Sequence, residues 1–257
     1  MSLDLSHRTY GAGKPLILLH GLLGSKSNWA GVAKALSAHH QVHALDLRNH
    51  GQSPWSERMT YEDMADDVAA FIRHHHLLSC DLVGHSMGGK VAMMLALHHG
   101  ELLDRLVVVD IAPASSGGDF HPIVEALAGV PLAECDNRDD VDDFLADEIP
   151  EASLRGFLLQ NLTRTGDGLA WRVNLAALHL DMERIISFPD LHPHRVFNGR
   201  TLFLAGQQSD YVTPAHAGVI RRLFAHAVID RVPNAGHWVH ADQPKAFLDK
   251  LRHFLDT

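Results

Sequence analysis

The 257-residue sequence predicts an α/β protein: a mostly parallel central sheet flanked by helices, with a helical segment inserted between two of its strands. Three observations carry this. Short apolar, β-branched-rich runs alternate with stretches of helical period up to residue 112, the rhythm stops after Pro113, and it resumes at Arg200. Strands joined by helical crossovers run parallel, and the crossovers cover both faces of the sheet. The expected division is a core of residues 1–112 and 191–257 and a helical cap of residues 113–190.

The elements follow in order. "PLILLHG" reads as a buried strand, followed by a helix from Ser27 to Ala38 with Ser27 placed to cap it. "QVHALDL" is a second strand. "TYEDMADDVAAFIRHHH" is a helix whose apolar stripe is Met64, Val68, Phe71 and Ile72, with its acids in the first two turns, where the helix dipole favours them. "CDLVG", "MGGKVAMMLALHH" and "LDRLVVVDIAP" are a strand, a helix and a strand. From Pro113 to Asp190 no strand is expected, only helices within "RDDVDDFLADEI", "EASLRGFLLQNL" and "LAALHLDMERII". "RTLFLAG" then forms a strand, Pro214 to Phe224 a helix, "AVIDRVP" the last strand, and a helix after Gln243 closes the chain.

Composition narrows the function. A net charge of −9 without a Lys/Arg run argues against nucleic acid or an anionic membrane surface as partner. From Glu134 to Glu151 nine acids stand against one arginine, which reads as a solvated face of the cap helices. The two cysteines, Cys80 and Cys135, make no disulfide framework. No apolar run approaches the ~18 residues of a membrane span, and "MSLDLSHRTYGAG" lacks the apolar centre of a signal peptide, so a cytoplasmic protein is expected. Histidine is abundant, with 21 residues and runs at His39–His40, His74–His76 and His98–His99. Adjacent helical positions diverge by about 100°, so these runs do not converge on a metal, and each falls where a helix is expected to end. No metal site is assigned.

The chemistry is carried by "DLVGHSMGGK". Gly84-His85-Ser86-Met87-Gly88 matches G-x-S-x-G in the strand–turn–helix setting that this motif requires. The glycines allow a turn too tight for side chains beside the serine. Ser86 then stands at the C-terminal end of the sheet, under the positive N-terminus of the next helix. A serine hydroxyl needs a base, and His237 lies just after the last expected strand, in "VPNAGHWVHADQP". His240 reads as packing or surface. The oxyanion of an acyl-transfer intermediate needs two backbone donors. Met87 N–H, directly after the nucleophile, is one candidate, and Leu22 N–H, in the loop His20-Gly21-Leu22-Leu23-Gly24, is the other. Leu22 and Leu23 also offer an apolar wall to an acyl chain. His85, Phe157, Trp171 and Trp238 complete the candidate substrate contacts.

Together "HGLLGS", "DLRNHGQS", "VGHSMGGK" and "NAGHWVHADQP" resemble the α/β-hydrolase superfamily across nearly the whole chain, most closely its small intracellular esterase branch, which acts on carboxylic esters and in some cases acyl-CoA thioesters. The turn Asp46–Ser53 matches the family's turn after the second long strand and reads as mainly structural, with Arg48 and Asn49 placed near the pocket entrance. The resemblance leaves two places for the acid of the triad. Most of the superfamily carries it three residues after a glycine ending the strand before last; here that position is Ser209, with Asp210 one residue later. The esterase branch places it at the end of the strand after the nucleophile helix, which is Asp110, and this is the favoured choice.

The expected activity is hydrolysis of an ester with an apolar acyl part through an acyl-enzyme on Ser86, with no cofactor. The substrate is a small-molecule ester or thioester. An acyl-CoA thioesterase and a carbon–carbon hydrolase or lyase are the enzymatic alternatives. A ligand receptor on the same scaffold would bind without turnover, which an intact Ser–acid–His set disfavours. The oligomeric state is left open.

Overall fold

The order of strands explains where a site forms. The computed structural model describes residues 2–77, 79–166, 168–190 and 195–256. The chain begins with strands β1 (His7–Tyr10) and β2 (Lys14–Leu19), then a 3₁₀ turn at Lys26–Trp29, helix α1 (Ala30–Leu36) and strand β3 (His40–Leu45). Helix α2 (Tyr61–His74), strand β4 (Cys80–His85), helix α3 (Met87–His98) and strand β5 (Leu103–Val109) follow. The central sheet has the order β1-β3-β2-β4-β5-β8-β9, where β8 is Phe197–Gly206 and β9 is Phe224–Val232. All neighbours run parallel except β1, which is antiparallel to β3.

After β2 the chain moves one way to β3, then returns to the other side of β2 for β4. Loops leaving the C-terminal ends of β2 and β4 therefore diverge and leave a crevice between them. Those loops carry Leu22 and Ser86.

The helices arise as their sequences require. Thr60 caps α2 by accepting from Asp63 N–H, and Glu62 and Asp63 occupy its first turn. Met64, Val68, Phe71 and Ile72 are buried as one face. Helix α3 is buried from Met87 to Leu97 and apolar there except for Lys90, held between the sheet and the elements beyond it. Two apolar clusters cover the two faces of the sheet. One joins α2 and α3 with the segment after β5; the other joins α1 with the C-terminal helix α10, Pro244–Asp256.

Between β5 and β8 lie helices α4 (His121–Gly129), α5 (Arg138–Leu145), α6 (Ala152–Leu158) and α7 (Leu175–Ile186). The expectation of no strand here is corrected: β6 (Leu162–Thr165) and β7 (Gly168–Trp171) form a two-stranded antiparallel hairpin. Each strand is four residues long and only partly covered, so neither has a buried period-two face for a pattern to show. Strand β1 escaped the sequence reading for the same reason, since its residues "HRTY" lie at the sheet edge, half-buried or exposed. The first helix also differs. Its opening turn is 3₁₀ and begins after Ser25, not Ser27, with Asn28 Oδ1 accepting from Ser25 N–H at 2.7 Å. Beyond β8 come helix α8 (Ala217–Leu223), β9, the short helix α9 (Val239–Asp242) and α10. Asp139, Asp140 and Asp143 of α5 are exposed. Among the described residues no helix is long and apolar enough to cross a membrane.

Candidate active site

Ser86 sits at the turn between β4 and α3 with φ +53° and ψ −119°, a region that ordinary residues avoid. The turn is held by close packing of backbone. A Cβ on Gly84 would stand 2.1 Å from the Gly88 carbonyl oxygen, and one on Gly88 would stand 2.4 Å from that of His20. The two motif glycines are therefore required by space as well as by the tight turn. Ser86 N–H is anchored to Val109 O at 3.0 Å.

His237, in the loop after β9, faces the serine: its Nε2 lies 3.0 Å from Ser86 Oγ. Its Nδ1 lies 2.8 Å from Asp110 Oδ2. A carboxylate only accepts, so Nδ1 carries the proton and Nε2 is left to take one from the hydroxyl. Asp110, the residue after β5, is fully buried with φ +51°. Its Oδ1 accepts Gly206 N–H at 2.8 Å, and its Oδ2 also accepts Ser209 Oγ–H at 2.5 Å. With three donors on two oxygens, the carboxylate is held in one orientation.

Asp210, the other acid considered, does not meet His237: its side chain is exposed. Ser209 explains this. Its hydroxyl turns inward to Asp110, which directs the next side chain outward. Ser209 occupies the position where the superfamily's common acid would stand, and here it donates to the acid supplied by β5.

The two candidate backbone donors are positioned in the loops that follow β2 and β4. Neither Leu22 N–H nor Met87 N–H is taken by a protein acceptor among the described residues. Leu23 is buried with φ +58° and lines the cavity beside Leu22. His20 is buried; its Nδ1 donates to Gly21 O at 2.8 Å, and its Nε2 accepts Leu47 N–H at 3.0 Å. Burial holds its pKa below the usual imidazole value.

His85 is buried beneath the base, with its Nε2–H donating to His237 O at 2.9 Å. Burial, then the neighbouring His237 and His240, push its pKa well below the ordinary value, so the ring is neutral. Tyr211 stacks on His237 with ring centroids 4.1 Å apart, a contact for which no motif gave a signal. His240 is a packing residue and not a surface one: its ring stacks on Trp29 at 4.6 Å. Burial and the neighbouring His237 push its pKa down to about 4. Arg48 and Asn49 are structural. The Arg48 guanidinium pairs with Asp67 through Nε at 2.7 Å, and Asn49 Oδ1 accepts Ser56 N–H at 2.7 Å; neither lines the cavity.

The serine opens into a cavity of about 1300 Å³. Leu22, Leu23 and Trp238 form its core side, and Phe120, Ile123, Leu154 and Phe157 come from the segment between β5 and β8. The rings of Phe157 and Trp238 approach across it, with centroids 6.0 Å apart. Trp171 does not reach it; its indole N–H donates to Leu127 O at 3.0 Å, which ties β7 to α4. Among the described residues no group of His, Cys, Asp and Glu is arranged to hold a metal ion.

Comparison with known proteins accords with this geometry. A model of the alpha/beta hydrolase family matches residues 16–250. The chain belongs to the α/β-hydrolase family. This hydrolase is 42% identical to the mouse sn-1-specific diacylglycerol lipase ABHD11 over 248 residues, which cover 93% of this chain and 80% of that one. It is 31% identical to Esterase YbfF of Escherichia coli over 251 residues, covering 94% and 93% of the two chains. Among solved structures, a marine microorganism esterase superposes with a TM-score of 0.95 at 38% identity, covering 98% of this chain and 100% of its own.

Proposed function

We propose that the protein is a serine hydrolase of carboxylic esters, and that Ser86, His237 and Asp110 carry out the reaction. The observation behind this reading is the continuous chain from Ser86 Oγ through His237 to Asp110 at the floor of the cavity. Ser86 Oγ attacks the ester carbonyl carbon as its proton passes to His237 Nε2. The carbonyl π electrons move to oxygen, and Leu22 and Met87 N–H groups stabilise the oxyanion. The intermediate collapses and breaks the bond to the alkoxy oxygen, which leaves with the proton from Nε2. Water, deprotonated by the same nitrogen, then attacks the acyl carbon; the bond to Ser86 Oγ breaks as Oγ takes the proton back from Nε2, and the carboxylic acid leaves. Asp110 keeps the imidazole in the required tautomer and stabilises the imidazolium formed twice per cycle.

The cavity also bears on the substrate. Among the described residues no Lys or Arg lines it, whereas the carboxylates of Glu151 and Asp242 do. An acyl-CoA, or a diketone bearing a carboxylate, would meet no compensating cation there and would be repelled. An uncharged ester with an apolar acyl part fits the leucine, phenylalanine and tryptophan walls. A diacylglycerol, the substrate named for the mouse relative, is an ester of this kind. The same reading has the protein act in the cytoplasm on a small molecule, without nucleic acid or membrane as partner. The helical cap of residues 113–190 serves to select the acyl chain.

A fluorophosphonate probe should label Ser86 covalently, and Ser86→Ala should abolish both labelling and ester turnover. Wild-type turnover by Ser86→Ala would overturn the assignment. For substrate charge, an activated p-nitrophenyl ester whose acyl chain ends in methyl should be turned over with a higher kcat/KM than one of the same length ending in carboxylate.

A further inference from the structure

The loop that carries Leu22 is held from two sides at one residue. Leu23 has the left-handed φ of +58°, a costly conformation for a leucine, and its peptide groups are gripped by two distant segments. Leu23 N–H donates to His50 Nε2 at 3.2 Å. His50 Nδ1 lies 2.9 Å from Arg48 O, which can only accept, so Nδ1 carries the proton and Nε2 is the acceptor that Leu23 needs. Burial pushes the His50 pKa down to about 3, and the ring keeps this tautomer across the working pH range. On the other side, Leu23 O accepts from Asn161 Nδ2 at 2.7 Å. The second hydrogen of that amide goes to Leu158 O at 3.1 Å, which fixes the amide plane.

Asn161 is buried and ends the 3₁₀ turn Leu159–Asn161, directly after α6. Helix α6 supplies Phe157 and Leu158 to the cavity wall. One side chain therefore connects the acyl-contacting helix to the residue next to the oxyanion donor. Asn161 grips the Leu23–Gly24 peptide at its oxygen, the Gly24 N–H of that same peptide donates to Gly21 O at 3.0 Å, and Gly21 O shares a peptide plane with the Leu22 N–H, which no protein acceptor takes among the described residues.

We propose that Asn161 is a positioning residue that sets the oxyanion loop from the cap, by holding the Leu23 carbonyl so that Leu22 N–H stays aimed at the developing oxyanion. The proposal rests on the serine-hydrolase reading. It makes the cap part of the catalytic geometry as well as a wall for the acyl chain. A donor misaligned in this way weakens stabilisation of the tetrahedral state more than binding of the ground-state ester.

The test compares wild type, Asn161→Ala and Asn161→Asp on p-nitrophenyl butanoate, together with the affinity of a trifluoromethyl ketone of matching chain length. Ser86 Oγ adds to its carbonyl carbon as the hydroxyl proton passes to His237 Nε2, which leaves an oxyanion in the same place. Both variants should lose about tenfold to hundredfold in kcat with KM within about threefold, below the full loss of an oxyanion donor. Ketone affinity should fall by the same factor as kcat/KM. Asn161→Asp keeps the size of the side chain and replaces both N–H donors with an acceptor, so it carries the test if the alanine variant is too unstable to assay. Arg172→Ala, which removes exposed hydrogen bonds to Gln160 O and Leu162 O, should behave as wild type. A folded Asn161 variant with unchanged kcat and ketone affinity would overturn the proposal while Ser86→Ala stays inactive. Activity retained by Ser86→Ala would instead remove the hydrolase reading beneath it.

Discussion

The top of the sheet and the segment from residue 113 to residue 190 meet at one cavity but are held together by different means. At the sheet, each member of the proposed triad is over-determined. Ser86 is fixed by interpenetrating backbone at Gly84 and Gly88, Asp110 by three hydrogen bonds, and His237 by its neighbours Asp110, His85 and Tyr211. The inserted segment packs Leu127, Leu178 and Met182 into the same apolar cluster as α2 and α3, and its polar attachments are made by individual side chains. Asn161 reaches Leu23, Asn174 Nδ2 reaches Asn49 Oδ1 at 3.1 Å, and Asp181 Oδ2 accepts Met59 N–H at 2.9 Å. A fourth anchor runs the other way. Lys90 of α3, buried and pulled down to a pKa of about 7 by that burial, donates to Ile186 O and Ser187 O at the end of α7. The contrast separates geometry set by rigid backbone from geometry set by individual side chains, and it predicts where substitution abolishes chemistry and where it retunes it.

The largest contrast should come from the two aspartates. Asp110→Asn keeps the shape but cannot accept the His237 Nδ1 proton in the same way. It should approach a loss of about 10⁴-fold in kcat, whereas Asp210→Asn should stay within about tenfold of wild type. Steady-state kinetics on one ester decide it, and a collapse in Asp210→Asn alone would mean that the loop after β8 rearranges in solution.

A smaller effect is expected at the cavity wall formed by α6. Phe157→Ala removes the ring facing Trp238 and should change the ratio of kcat/KM between long and short esters by about tenfold, the scale of apolar contacts in a pocket. A folded variant with an unchanged chain-length profile would contradict the role given to α6.

The last effect is on acid stability and not on turnover. His240 titrates near 6.5 when unfolded but is held to about 4 in the fold. Between those values the unfolded chain binds a proton that the folded chain refuses, so stability is lost as pH falls from about 6.5 to 4, by up to ~1.4 kcal/mol per unit for this one group. His240→Phe should keep the stacking on Trp29 and lose less stability over that range, as followed by denaturant midpoints. Its turnover should remain far above that of His237→Ala.

The nucleophile, the base and the oxyanion loop were legible because each sits at the junction of two recognisable elements, where glycine, serine and histidine occur for steric reasons. Trp171 was misread as a pocket residue because helical spacing reveals which residues are apolar and not what they face; it lies in the hairpin, bonded to α4. Asn161 carried no signal, and His50 showed only as part of a turn that reads as structural. A lone asparagine in a helical stretch and a histidine in a structural turn gain a role only from the Leu23 peptide, 138 and 27 residues away.

The parallel sheet, the serine turn and the order of serine, acid and histidine follow from local period, local sterics and position along the chain. Contacts between distant segments settle which of the two aspartates meets His237. Which carboxylate reaches His237 depends on how the ends of β5 and β8 lie side by side, and on the Ser209 hydroxyl, which closes on Asp110 and turns Asp210 to solvent. That choice is a matter of a few ångströms between residues about 100 positions apart, a distance on which no periodicity in the chain reports.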